Sequence, residues 1–400
     1  MTDSPRPFQG VRILDFTQVL AGPYASFQLA LMGADVIKVE RREGEDARRT
    51  PLSRVWAARG MSSGWMAING NKRSLTLDLQ KPEAKEIIRR LVAESDVVME
   101  NFRPGVMDRL GLGYAELAKI NPKLIYAAVS GFGHSGPDSP EAGYDGKIQA
   151  MSGIMSITGH AETGPVRAGF AVCDTLTGMT MAFGVASALF QRTHTGRGQF
   201  VDISMLDATL AFLAGPIADW TVAGHKQMQS GNQAVSRKPT ANLFKAGDGW
   251  LLLAVNNDRQ YDALMKALGL EHTFGDPRFA DWFLRNENEP ALRALIEDKL
   301  AADTPRNWED RLNAAGAPSA SIWRIEEVIE HRQVKARGLM QEVDSPWGRL
   351  RFAGSGVTLA HGTPRLDRLA PLLGADTDAI LAAVGFGTAE IAALHDAGVV

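Results

Sequence analysis

Asp174 lies in the stretch 164–179, GPVRAGFAVCDTLTGM, between an apolar run (168–173) and a run of small and apolar residues (179–190). The second run has the composition of a buried helix. A carboxylate at such a junction lies near the positive end of a helix dipole. Backbone amides there hold it ionised and also cradle a nearby oxyanion. That makes Asp174 a candidate site carboxylate and, equally, a candidate helix cap. Cys173 beside it is the other reactive side chain of the stretch. In an extended segment neighbours point to opposite faces, so only one of the two would meet a ligand. A lone Cys in an apolar run reads as a small buried hydrophobe.

Cations gather elsewhere. Arg41 and Arg42 directly follow the strand pattern ADVIKVE (34–40), at the edge where open α/β sheets bind ligands. The strand pattern DVVME (96–100) runs into Asn101, Phe102 and Arg103, with Arg109 about one turn into a short helix. Two arginines and an amide at a strand's carboxyl end suit a phosphorylated ligand. The loop GFGHSGP follows a strand pattern at 124–130; its glycines allow close backbone approach, and its His134 reads as an incidental polar residue.

The elements that place these residues alternate. A strand at 11–16, a helix at 24–32 and a strand at 34–40 form a βαβ unit, which implies a parallel sheet with right-handed crossovers. The pattern repeats with a strand at 73–79, an amphipathic helix at 82–93 and further strands at 96–100, 124–130 and 199–203. The turn QVLAGPY lacks the GxGxxG fingerprint of dinucleotide sites, which disfavours an NAD-dependent oxidoreductase. Alternation ends near 224. The expected organisation is a large Rossmann-like domain over 1–224, a polar linker or active-site loop at 225–240, a smaller α+β domain at 241–335, and a return to the large domain over 336–400.

Composition bounds the rest. Charged residues make up 22% and the net charge is −3, so nothing marks a nucleic-acid or anionic-membrane partner. A single Cys excludes an intramolecular disulfide and CxxC metal sites and fits a reducing, cytoplasmic compartment. No metal is expected. The first ten residues lack a signal-peptide core, and no run approaches the ~18 apolar residues of a membrane span.

Motifs along nearly the whole chain resemble the class III CoA-transferases, a group that includes formyl-CoA transferase, carnitine CoA-transferase and the divergent α-methylacyl-CoA racemases. The resemblance is carried by RILDFTQVLAGPYA, ADVIKVERREGED, NKRSLTLDL, VMENFRPGVMDRLGLGY, AAVSGFGHSGP, the Asp174 stretch, HTGRGQFVDISMLDA, DGWLLLAVNNDRQYDAL and AGAPSASIWRIEEVIEHRQVKARG. It implies an interlocked homodimer with α/β, Rossmann-like large domains and smaller α+β domains. No cofactor would be tightly bound; acyl-CoA and small carboxylic acids would be the substrates. By position Asp174 is similar to the family's nucleophile, with Tyr144 and Asp145 beside the active site. Val19 and Leu20 fall near the thioester, and Arg41, Leu77, Asp78, Leu79, Gln80, Asn101, Phe102, Arg103 and Arg109 fall where coenzyme A is contacted.

Two departures stand out. Formyl-CoA transferases often carry Gln where this chain has Leu20, and their glycine-rich lid has no counterpart in GNQAVSRKPT. Racemases typically place a His before the Asp; here it is Tyr144, a poor base at neutral pH. The expected activity is therefore acyl-CoA:carboxylate CoA transfer, with succinyl-CoA a possible donor. Racemisation and non-catalytic acyl-CoA binding are the alternatives. His225, Lys226, Arg237 and Lys238 in the polar segment are candidates to pair with a second carboxylate of the acceptor.

Overall fold

The computed structural model describes residues 4–400. The chain forms two compact units. The first comprises residues up to 154, 167–226 and 333–400; the second comprises 155–166 and 227–332. Residues 155–166 thus leave the expected uninterrupted 1–224 block, and the 225–240 stretch falls almost entirely in the second unit.

The first unit is built on six parallel strands, β1 (Arg12–Asp15), β2 (Asp35–Glu40), β3 (Arg73–Thr76), β4 (Val97–Glu100), β5 (Ile125–Ser130) and β6 (Gln199–Ser204). Their order is β3-β2-β1-β4-β5-β6. Nearly every residue of β2, β4 and β5 is buried, as expected for strands covered on both faces. The order reverses direction between β1 and β4. At such a switch point the loops after the two strands diverge and open a crevice at their carboxyl ends.

Helices cover both faces. On one side α1 (Ala21–Leu31) packs with the sheet; on the other lies α2 (Pro82–Ala93), which starts with Pro at its first turn and buries Ala84, Ile87, Ile88, Leu91 and Val92. The C-terminal residues Ile380, Leu381, Ile391 and Leu394 close the α2 side. Next come α3 (Asp145–Met151), α4 (Val172–Thr195), α5 (Met205–Phe212) and α6 (Ala214–Ala223).

Helix α4 begins at Val172, seven residues before the apolar run that announced it, and places Asp174 in its first turn. Threonines weaken the helical pattern here, yet Thr175, Thr177 and Thr180 each donate their hydroxyl to the carbonyl four residues back. That satisfies a polar group that otherwise competes with helix formation. Nor is α4 fully buried, as its composition suggested: Phe183 is 75% and Phe190 68% exposed. By length and composition alone it would suffice to cross a membrane, contrary to the expectation from the sequence. Its inner face instead packs on α1 and the sheet through Met181, Val185 and Leu189.

Gly178 sets the α1–α4 approach: a Cβ there would come within 2.6 Å of the Ala21 carbonyl oxygen, a backbone atom that cannot turn aside. Alanine is worth about 1 kcal/mol over Gly within a helix. Here Gly178→Ala is nevertheless expected to lower stability by about 1–3 kcal/mol, the usual cost of overpacking. Urea unfolding of the two proteins measures this directly.

The second unit holds the antiparallel sheet β7 (Leu243–Ala246), β8 (Gly249–Leu253) and β9 (Ser319–Ser321), in that order, with α7 (Asp258–Ala267), α8 (Glu289–Leu300) and α9 (Pro305–Ala315). Its core includes Phe244, Tyr261, Ile296, Trp308 and Leu312. Where RIEEVIEHRQVKARG leaves this unit for the first, the chain forms two short helices, Ile325–Val328 and Arg332–Ala336. Neither buries a residue, and short helices without packing do not extend.

Candidate active site

Asp174 faces a cavity of ≈ 200 Å³ at the carboxyl ends of the central strands, shared with Gln18, Val19, Leu20, Asn101, Arg103 and Tyr144. A second cavity of ≈ 420 Å³ is lined by Arg41, Arg42, Leu77, Asp78, Leu79 and Gln80. Gln18 and Phe102 line both, so the two adjoin, and together they reach the size of small-molecule sites, roughly 300–1,000 Å³. Of the residues that the resemblance places at the site, Asp145 and Arg109 line neither cavity. Arg109 is exposed, at the end of the short turn Val106–Arg109.

Asp174 does not cap its helix. Ala171 occupies the cap position without a side-chain bond. The orphan amides are met from outside by Asp145 at the start of α3, whose Oδ1 accepts from the Cys173 N–H at 2.9 Å and the Asp174 N–H at 3.4 Å. Its Oδ2 accepts from Gln149 Nε2 at 2.6 Å and Arg167 Nη2 at 3.2 Å. Gln149, one turn along α3, also accepts from the Ala168 N–H, so the approach to α4 is held at both ends. Asp145 is buried and fully engaged, whereas Tyr144 is 70% exposed on the cavity wall. Burial, with the charge of Asp145 adding to it, pushes the Asp174 carboxyl up to about 6. A carboxylate so placed is ionised at neutral pH but poorly solvated, which favours nucleophilic attack.

Cys173 is fully buried among the apolar residues of the α1 side, and burial pushes its thiol up. In a helix it points about 100° away from Asp174, so the two are separated by helical rather than extended geometry.

The wall opposite Asp174 is the loop after β1. Val19 has φ +68°, a conformation that costs a β-branched residue on the order of 1–3 kcal/mol. Its neighbours enforce it. Asn101 accepts from the Gln18 N–H and donates to the Gln18 carbonyl, both at 2.7 Å, and Glu45 Oε2 accepts from the Val19 N–H at 2.9 Å. Glu45 is itself buried, bonded to Trp65 Nε1 and paired with Lys38. Behind the loop, Lys72 pairs with Asp15 at 3.0 Å, both wholly buried, and Lys72 also donates to the Pro23 carbonyl in the first turn of α1. No side chain caps α1, so its first amides remain available where Leu20 and Ala21 line the cavity. Gly131 and Gly143, also on the wall, approach so closely that a Cβ on Gly131 would meet the Gly143 Cα at 2.6 Å.

The sequence reading missed Gln18, Glu45 and Gln149. Only the Asp145–Gln149 spacing of four carried a local signal, and α3 itself went unrecognised there. His134 lies away from Asp174: its backbone N–H donates to Asp202, and its ring lies 3.9 Å from Glu100.

Residues 8–377 match the model of CoA-transferase family III. Among curated proteins the chain is 36% identical over 390 residues to the succinate–glutarate CoA-transferase of Agrobacterium fabrum, covering 96% of this chain and 97% of the relative. It is 38% identical over 366 residues to the acetyl-CoA:oxalate CoA-transferase of Acetobacter aceti, covering 90% and 93%. Among solved structures it is similar to a CAIB/BAIF family protein from Brucella suis, with a TM-score of 0.85, 35% identity, and coverage of 95% of this chain and all of the other.

Proposed function

The chain belongs to CoA-transferase family III, and from that premise we propose that it moves coenzyme A between carboxylic acids through a covalent thioester on Asp174. The observation that carries this reading is a partly buried carboxylate, raised to about 6, on the wall of a groove whose far end holds Arg41 and Arg42.

The steps balance without proton transfer. A carboxylate oxygen of Asp174 attacks the donor thioester carbonyl, and the C–S bond breaks to release CoA thiolate and leave an acyl–aspartyl anhydride. The thiolate attacks the aspartyl carbonyl, displacing the donor acid as its carboxylate and forming aspartyl-CoA. The acceptor carboxylate then attacks that thioester, expelling thiolate and forming a second anhydride. Thiolate attack on the acceptor's acyl carbon gives the new acyl-CoA and restores Asp174. Each tetrahedral intermediate carries an oxyanion, and the uncapped α1 amides offer it a polarised partner. Asp145 fixes the start of α4, so orientation is built in before substrate arrives.

We assign a dicarboxylate as one substrate, since the relatives named above act on succinate, glutarate and oxalate. Of the cations expected to meet a second carboxylate, Lys238 rests on the Trp282 ring at 3.9 Å. Arg167 is a stronger candidate: its side chain is 60% exposed, and it bonds the same carboxylate that holds the Asp174 amide. Two-base racemisation is disfavoured, because Asp145 is consumed by its four donors and Tyr144 is a weak base. Exposed Phe183, Phe190, Phe212 and Trp220 on α4, α5 and α6 support a homodimer, the interlocked form being the one the family implies. A single buried thiol suits a cytoplasmic setting.

Intact mass after incubation with succinyl-CoA tests the reading. A CoA adduct is expected on the peptide carrying Asp174, and native mass spectrometry of the same sample is expected to show a dimer. CoA binding without any adduct across a panel of acyl-CoAs would reduce the protein to a binder.

A further inference from the structure

Glu100, the last residue of β4, is 2% exposed and lies outside the cavity that holds Asp174. Its Oε2 accepts from the Phe102 N–H at 2.7 Å, closing a turn across Asn101. That turn aims the Asn101 amide at both backbone groups of Gln18, and Gln18 and Phe102 are where the two cavities adjoin. Behind Glu100 is a separate cavity of ≈ 280 Å³ walled by Asp108, Tyr126, His134 and Phe200. Among the described residues the Tyr126 hydroxyl and His134 Nε2 have no hydrogen-bond partner there.

We propose that Glu100 is a positioning residue that holds the Asn101–Phe102 turn, and through it Gln18, in the shape the acyl-CoA groove requires. This rests on the acyl-CoA reading above. The hydrogen bond that Glu100 accepts shapes one of the two segments common to both cavities, and Asn101 ties that segment to the other at Gln18, so its loss moves two walls at once.

The electrostatics agree with this geometry. Burial pushes the Glu100 carboxyl up to about 8; the Phe102 N–H opposes the rise, and Asp108 and Asp202 add to it. The other titratable groups facing it are His134, at 3.9 Å, and Tyr126, whose hydroxyl is itself pushed upward by burial, Glu100 and Asp108. At neutral pH Glu100 is therefore an uncharged acid. It still accepts the Phe102 N–H through an oxygen, yet presents no negative charge behind a groove that takes the polyanionic phosphates of CoA. Above pH 8 it ionises, and CoA affinity falls.

The test is calorimetric CoA binding, with KM and kcat for succinyl-CoA, for the full-length wild type, Glu100→Ala and Glu100→Gln at pH 7 and 9. At pH 7 Glu100→Ala is expected to weaken CoA binding and raise KM about tenfold, with kcat within about twofold. Glu100→Gln, which keeps an acceptor, is expected to bind as wild type does at pH 7 and to lose the weakening that wild type shows at pH 9. Wild-type affinity in Glu100→Ala would overturn the proposal. So would a Glu100→Gln protein that weakens at pH 9 as wild type does, which remains decisive if Glu100→Ala does not fold. A wild type that binds no CoA at all would overturn the acyl-CoA reading and the positioning role together.

Discussion

Asp174→Asn is expected to abolish CoA exchange, by at least about 10³-fold, while CoA binding survives and the protein becomes more stable at neutral pH. The activity loss follows from removing the nucleophile, since the neutral amide cannot form the anhydride, and losses of this scale accompany deletion of a covalent catalyst. The stability gain follows from linkage. Burial and Asp145 raise the folded pKa of Asp174 to about 6, above the unfolded value near 3.9. The fold therefore prefers the protonated form. Below pH ~4 both states are protonated and no cost remains; the cost grows between pH ~4 and 6 and levels off above 6 on the order of 3 kcal/mol. Asn removes that cost, so its advantage should be full above pH 6 and fade toward pH 4. Denaturant unfolding at pH 7.5 and 4.5 measures it. Wild-type kcat/KM should carry an acid limb near pH 6, where Asp174 loses its charge. Exchange by the Asn variant within tenfold of wild type would remove Asp174 from the mechanism.

Lys72→Met should destabilise the protein by about 3–5 kcal/mol, the range for breaking a buried ion pair from one side. Lys72 and Asp15 have no exposure, and Lys72 also bonds Asn69 and the Pro23 carbonyl. Burial pushes the Lys72 amine down to about 8, with Asp15 holding it up against that cost. Burial likewise raises Asp15, but Lys72, Lys38 and the hydroxyls of Ser26 and Thr17 outweigh it and hold its carboxyl below the usual range. Because the folded pKa of Asp15 is depressed, its contribution is present above the unfolded value near 3.9 and is lost as pH falls through the folded one. Methionine leaves Asp15 short of its principal partner. It also loosens the first turn of α1 and the loop carrying Val19, so KM for acyl-CoA should rise. An Asp15→Leu/Lys72→Met double variant should recover much of the stability, since apolar replacement of a whole buried pair is often near neutral. Equilibrium unfolding of the single and double variants reads both effects.

Local sequence determined the frame. Strand and helix periods are set by side chains within a few residues of one another. The βαβ alternation, the α2 bounds at Pro82–Ala93 and the placement of Asn101 and Arg41 at strand ends were therefore legible directly. The carboxylate at Asp174 was also visible as chemistry waiting for a context. Its context was not. The group that meets the α4 amides is Asp145, 29 residues earlier, and nothing local distinguishes it from a surface carboxylate. The run of threonines hid the true start of α4, because their hydroxyls become helix-compatible only once bonded to carbonyls one turn back. Burial decided the remainder. It makes Glu100 an acid rather than a carboxylate, pairs Lys72 with Asp15 across 57 residues, and holds Val19 in a conformation its side chain resists. Burial and long-range pairing come from bringing distant segments into one low-dielectric interior, a property of the packed chain that no short stretch of sequence contains.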